Sequence, residues 1–402
     1  MQSINAKLVL EFIAQTHLAS VPRPRWSEHG REQAGMTTKA RYRAIAGACV
    51  AAVMAAACAS VGGDRADSSA GTERSDAIAR NDVKVASAPG IEVGVREVMP
   101  PEADGAPVIL LHGARVPGIA SFDLPVDGYS LAADLAEEGH PTFIMDARGY
   151  GASTRPQEME TEPIAGSPVV RSNEVVQDIG AVVDHVQTTT GADQVALLGW
   201  ATGGHWAGMY AAANPGDIGK LVIYNSLYGA TDQHPTLGYG SDYEDRGIPG
   251  AFDRQAGAYR LSDGPSLLTS WDRYIPSDDP TVWRDPRVAD AYQQQALASD
   301  PTSGRRNPAS FRAPNGAMED SFYLATGRQL WDASLIEAST LILRSQHDFW
   351  SRPDDVTQLQ RHLAHAADVR AVELTEATHY AHLDRSDRGR TQFLDEVVGF
   401  LR

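Results

Sequence analysis

Val195-Ala196-Leu197-Leu198-Gly199-Trp200-Ala201-Thr202-Gly203-Gly204-His205-Trp206 is the stretch on which the reading of this chain turns. Val195–Leu198 is a short apolar run bounded by glycine, which reads as a buried strand. From Gly203 to Tyr210 the residues open a helix. A tight turn with glycine on both sides joins the two, and the residue at its apex is Ala201.

The same rhythm extends outward. Upstream, Glu92–Val98, Val108–Leu111 and Thr142–Met145 read as strands, and Tyr129–Glu138 as a helix. Asn173–Thr190 is a long helix whose Val175, Val176, Ile179, Val182, Val183 and Val186 share one face. Downstream, Leu221–Tyr224 is a further strand. Residues 226–335, rich in Pro, Asp, Gly, Tyr and Trp, interrupt the pattern, with helical pieces expected near 253–260, 287–298 and 318–331. It resumes with strands at 340–343 and 369–374 and helices at 353–365 and 388–402. Alternating βαβ units imply an α/β fold: a mostly parallel central sheet with helices on both faces. The core is expected over 90–225 and 336–402. Residues 226–335 are expected to form an inserted, mainly helical cap over the sheet's carboxyl edge.

Four landmarks carry chemistry. Leu111-His112-Gly113-Ala114 follows a strand. Asp146-Ala147-Arg148-Gly149-Tyr150-Gly151-Ala152-Ser153 has the form D-x-R-G-x-G-x-S. Gly199–Gly203 has the strand–turn–helix setting of a nucleophile elbow, G-x-S-x-G. Asp348 and His379 each stand just past a late strand. In this order the landmarks resemble the α/β-hydrolase superfamily, over residues 90–402. The resemblance implies a Ser-His-Asp site without a cofactor or metal. Position 201 would be the nucleophile, His379 the base and Asp348 the acid that fixes the imidazole tautomer. His382 is the rival base. The backbone N–H groups of Thr202 and Ala114 would form the oxyanion hole. His112, Arg148 and Ser153 are read as structural, and Asp354 and Asp355 as helix-start residues. Trp200 and Trp350 lie near the catalytic turns and are candidates for substrate binding. The aromatic insertion suggests a hydrophobic or aromatic small molecule.

Ala201 departs from the pattern, because a methyl group cannot attack a carbonyl. One reading is an ester, lactone or amide hydrolase inactivated by alanine at its serine position. A second is a natural serine-less member in which the His379–Asp348 pair transfers protons directly, as in a lyase, an isomerase or a cofactor-free oxygenase. The third is a ligand-binding protein without catalysis.

The net charge of −17 argues against a nucleic-acid partner, since phosphate contacts need clustered Lys and Arg. Met36 is followed by Lys39, Arg41 and Arg43, the apolar run Ala44–Ala57, and Cys58. That arrangement reads as a secretory leader. Ala55-Ala56-Ala57-Cys58 resembles a bacterial lipoprotein box. A secreted protein, or a periplasmic or outer-membrane lipoprotein tethered through lipidated Cys58, is therefore expected. Residues 1–58 are assigned to an extension plus leader and 59–89 to a disordered tether. Cys49 and Cys58 are the only cysteines, so the folded part has no disulfide. The oligomeric state stays open.

Overall fold

Short runs of apolar residues become strands buried on both faces when helices cover each side of a sheet. The computed structural model describes residues 77–402. In chain order its strands are β1 (Ala79–Ala88), β2 (Ile91–Met99), β3 (Val108–Leu111), β4 (Thr142–Asp146), β5 (Val195–Trp200), β6 (Ile218–Tyr224), β7 (Tyr259–Asp263), β8 (Ser310–Pro314), β9 (Ser339–His347) and β10 (Val369–Thr378). Its α-helices are α1 (Gly118–Phe122), α2 (Leu131–Glu137), α3 (Ser172–Thr190), α4 (Thr202–Ala213), α5 (Gly264–Asp272), α6 (Pro286–Ala298), α7 (Gly316–Ala325), α8 (Pro353–His362) and α9 (Thr391–Leu401).

Eight strands form the central sheet in the order β1-β2-β4-β3-β5-β6-β9-β10. The pairings from β4 through β10 are parallel, and β2 pairs antiparallel with both β1 and β4. Successive residues alternate between two cores. Ile109, Leu111, Leu197 and Leu221 pack with α3 and α4 on one face. Val108, Leu110, Leu198 and Val222 pack with α2 and α9 on the other.

This strand order positions the site. β3 lies between β4 and β5, so the chain leaves β3 in one direction and β5 in the other. Diverging connections open a crevice at the carboxyl ends of those two strands, where ligands bind in open α/β sheets. The segments after them are His112–Arg115 and the Ala201 turn. Glycine makes their packing possible. A Cβ at Gly203 would lie 2.2 Å from the Leu111 carbonyl oxygen, and one at Gly199 would lie 2.2 Å from that of Gly203.

Two expectations need correction. The tether assigned to 59–89 overlaps β1, which pairs along almost its whole length with β2. Its charged sequence hides the strand, because of its apolar side chains only Val83 and Val85 pack against the core. Arg80 in β1 and Arg96 in β2 both pair with Asp123, tying the strand to the segment after α1. The insertion contains α5, α6 and α7 and also a two-stranded antiparallel sheet, β7–β8. The helix expected near 253–260 is a short 3-10 turn followed by β7. The partner strand of β7 lies far along the chain, so no local period announces it. The leader, Cys49, Cys58 and the first part of the tether fall outside the described residues.

Candidate active site

At the apex, Ala201 has φ 54° and ψ −119°, a conformation that side-chain-bearing residues rarely adopt. Such strain costs about 1–3 kcal/mol and persists only where surrounding structure imposes it. Here the Ala201 N–H donates to the Tyr224 carbonyl (2.9 Å), and its own carbonyl accepts from Gly204 N–H (3.1 Å). The turn after β3 closes in from the other side, since a Cβ on Gly113 would stand 3.3 Å from the Ala201 methyl.

His379 and Asp348, from the turns after β10 and β9, meet directly. His379 Nδ1 donates to Asp348 Oδ1 at 2.6 Å, and both residues are buried. Asp348 also accepts from the main-chain N–H groups of Trp350 (3.1 Å) and Ser351 (2.8 Å) and from the Ser351 hydroxyl. Burial pushes its pKa up. The His379 ring and these hydrogen bonds outweigh that and hold it below the ordinary carboxylate value. His379 Nε2 has no protein partner among the described residues, and the ring lines a cavity shared with Ala201. The histidine's carbonyl is clamped by three donors: Trp200 Nε1 (3.0 Å), Tyr224 Oη (3.1 Å) and Asn225 Nδ2 (3.1 Å). Trp200 and Tyr224 end β5 and β6, and Asn225 follows β6. Asn225 is a positioning residue that the sequence reading missed; its signal is a polar side chain directly after an apolar strand.

The rival, His382, packs beneath Trp200 at 4.7 Å between ring centroids, with Phe122 and Tyr224 around it. Burial drives its pKa far below the usual histidine value, with the Arg390 charge acting in the same direction, so it is a neutral core residue. The Thr202 side chain faces Ser321 on α7 (3.4 Å).

Among the described residues, neither the Thr202 nor the Ala114 N–H has a hydrogen-bond acceptor. Thr202 is the first residue of α4, where such orphan donors and the helix dipole favour negative charge. Both residues line the cavity. His112 braces this loop: Nδ1 donates to Gly113 O (2.7 Å), and Nε2 accepts from Ala147 N–H (3.1 Å). Arg148 pairs with Asp178 at 2.6 Å, and Ser153 accepts from Gly94 N–H (2.8 Å), as structural residues do. Asp355 caps the start of α8 and takes three further N–H groups, from Tyr228, Gly229 and Ala230.

A cavity of about 700 Å³ opens in front of these groups. Trp200 and Trp350 line it, with Phe349 and Tyr380 beside them and Tyr243 and Tyr292 from the insertion. Arg115, Arg260 and Arg273 line it too, and nothing in the local sequence placed them there. Arg260, on β7, donates to the Ala114 carbonyl (2.6 Å), so it also steadies the β3 turn.

A second serine, histidine and aspartate meet at Ser172, His205 and Asp320, but with reversed polarity. Trp331 Nε1 donates to His205 Nδ1 (2.9 Å), so Nε2 carries the proton. That nitrogen faces Ser172 Oγ (2.9 Å), whose hydroxyl donates to Asp320 (2.6 Å). This histidine cannot accept the serine proton, and none of the three lines the cavity.

Comparison with known proteins adds four findings. The profile of the family described as serine aminopeptidase, S33, matches residues 128–386. A 2-hydroxy-6-oxononadienedioate/2-hydroxy-6-oxononatrienedioate hydrolase of Cupriavidus pinatubonensis is 30% identical over 118 residues, 29% of this chain and 34% of that protein. A counterpart from Dechloromonas aromatica is 29% identical over 128 residues, 31% of this chain and 38% of that one. The chain thus spans about a third of the length of the curated relatives it matches. An esterase from Exiguobacterium antarcticum has a similar fold, with a TM-score of 0.50 and 17% identity, covering 79% of this chain and 98% of that one.

Proposed function

Because this chain belongs to the serine aminopeptidase S33 family of the α/β-hydrolase superfamily, we propose that its cavity is a Ser-His-Asp hydrolase site acting on a small-molecule ester, lactone or amide, disarmed at residue 201. One observation carries the reading. The His379–Asp348 pair opens onto the cavity that Ala201 lines, and Ala201 keeps the strained elbow backbone while offering no nucleophile.

With serine at 201, the hydroxyl would attack the substrate carbonyl and pass its proton to His379 Nε2. Asp348 would hold the resulting imidazolium through Nδ1–H. The Thr202 and Ala114 N–H groups would take the negative charge developing on the carbonyl oxygen, each worth roughly 3–4 kcal/mol in the transition state. As the carbonyl's bond to the leaving alcohol or amine breaks, His379 would return that proton to the leaving group, and water, activated by the same histidine, would then release the acyl group from the serine. With alanine the acyl-enzyme cannot form, and what remains is His379 as a base toward water or a substrate C–H. The leader-like segment before Cys58 supports a place in the bacterial envelope or outside the cell.

Ala201→Ser tests the reading. Assays should cover aryl esters, lactones, amides and the oxo-dienedioates for which the matched relatives are named. Turnover is expected to rise by on the order of 10⁴–10⁶-fold, as nucleophile knock-outs lose in reverse. A folded serine form that turns over none of these substrates would sink it. Activity in the alanine chain that His379→Ala abolishes and Ala201→Ser leaves unchanged would assign the pair to direct proton transfer instead.

A further inference from the structure

The wall of the cavity is charged in one sense only. Arg115, Arg260 and Arg273 line it, and no Asp or Glu among the described residues does, although the chain as a whole carries −17. Neighbouring carboxylates are committed elsewhere. Asp272 pairs with Arg284 at 2.6 Å, and Asp384 takes Trp271 Nε1–H and Thr378. Asp263, within electrostatic reach of Arg115, caps α5 by accepting from Ser266 N–H at 2.9 Å.

The three guanidinium groups are held by neutral partners or by none. Arg115 donates to the hydroxyls of Ser262, Ser266 and Ser270 and to the Ser266 carbonyl. Arg260 donates to the carbonyls of Ala114 and Pro314 and to Asn315 Oδ1. Dense protein around it disfavours its charge, and Arg115 adds like-charge repulsion. Arg273 has no hydrogen-bond acceptor among the described residues. It lies 5.3 Å from the Phe349 ring centroid, and that ring is 4.6 Å from His379. Charges drawn together without a counter-ion cost free energy that a bound anion would recover.

The geometry points to a carboxylate-bearing substrate, whose negative end is neutralised by Arg260 and Arg273 with Arg115 behind them while its reacting carbonyl faces Ala201 and His379. The planar forks match a carboxylate's two oxygens. The same wall repels a free amino group, which an aminopeptidase must accommodate. The inference rests on this cavity being the substrate site, as proposed above, and it narrows what enters.

Binding to the chain as it stands tests it without turnover. Calorimetric titrations would compare 4-phenylbutanoate, 4-phenylbutanamide, 4-phenylbutylamine and phenyl phosphate, four probes with one ring. The carboxylate should bind at least about 10-fold more tightly than the amide, the amine should not bind, and added salt should weaken the carboxylate alone. Arg273→Gln breaks no hydrogen bond within the protein and should cost the carboxylate about 10-fold while leaving the amide unchanged. Arg260→Gln is the second variant, read with its melting temperature. Equal affinity for acid and amide, or an acid-to-amide ratio unmoved in both variants, overturns the proposal. Tighter binding of phenyl phosphate than of the carboxylate overturns the carboxylate assignment in favour of a phosphoryl group. Failure of Ala201→Ser to turn over substrate would leave these results untouched.

Discussion

Asp348 is buried yet stays ionised, because His379 and the N–H and hydroxyl donors of the following turn oppose the cost of burial. In the Ala201→Ser background, Asp348→Asn should lower kcat by about 10⁴-fold, since the amide no longer holds the right tautomer. A loss under tenfold in steady-state assays would remove Asp348 from the mechanism. Asp384 is the opposite case. Burial raises its pKa to about 7, although Trp271 and Thr378 hydrogen-bond it. Folding therefore favours its protonated form. That stabilisation is full below the ordinary value of 3.8 and is lost as pH rises through about 7. Urea titrations should show Asp384→Asn losing less stability than the parent between pH 4 and pH 7; equal slopes would contradict this. At this scale the sequence was legible where a side chain follows a strand end: Ala201, Asp348 and His379 could be placed from their neighbours. Arg260 and Arg273 could not, because their approach to the cavity depends on how the insertion folds.

Elements were legible in proportion to how far local pattern sets their burial. In α3, Val175, Ile179, Val182, Val183 and Val186 are buried and Val176 is half-buried, as their spacing implied, and Gly191 in the left-handed region ends the helix. β7 and β8 escaped notice because each is a strand only by virtue of the other. The β5–α4 turn is sensitive to a single added atom. Gly203→Ala would drive a methyl into the Leu111 and His112 carbonyls, so the variant should lose about 3 kcal/mol or more of stability. Denaturation midpoints within 0.5 kcal/mol of the parent would contradict the close approach. Gly216→Ala, where a Cβ meets nothing within 4 Å, is the control.

Across the whole molecule, β1 closes one edge of the sheet through an unbroken antiparallel ladder until its last residues. A chain starting at residue 90 would expose the β2 edge and uncover the face that Val83 and Val85 shield. It should be less stable than one starting at residue 77 by about 2–4 kcal/mol and more prone to aggregate. Matching melting curves for the two would show that β1 is dispensable. The three donors on the His379 carbonyl have a consequence at the same scale. Base and elbow are referenced to one frame, the ends of β5 and β6, whereas Arg273 travels with the insertion and Arg260 ties the insertion to the β3 turn. Breathing of that insertion would therefore tune capture and release of a ligand without detuning the alignment of base and elbow. Evolution could retarget such a pocket by rewriting the insertion alone.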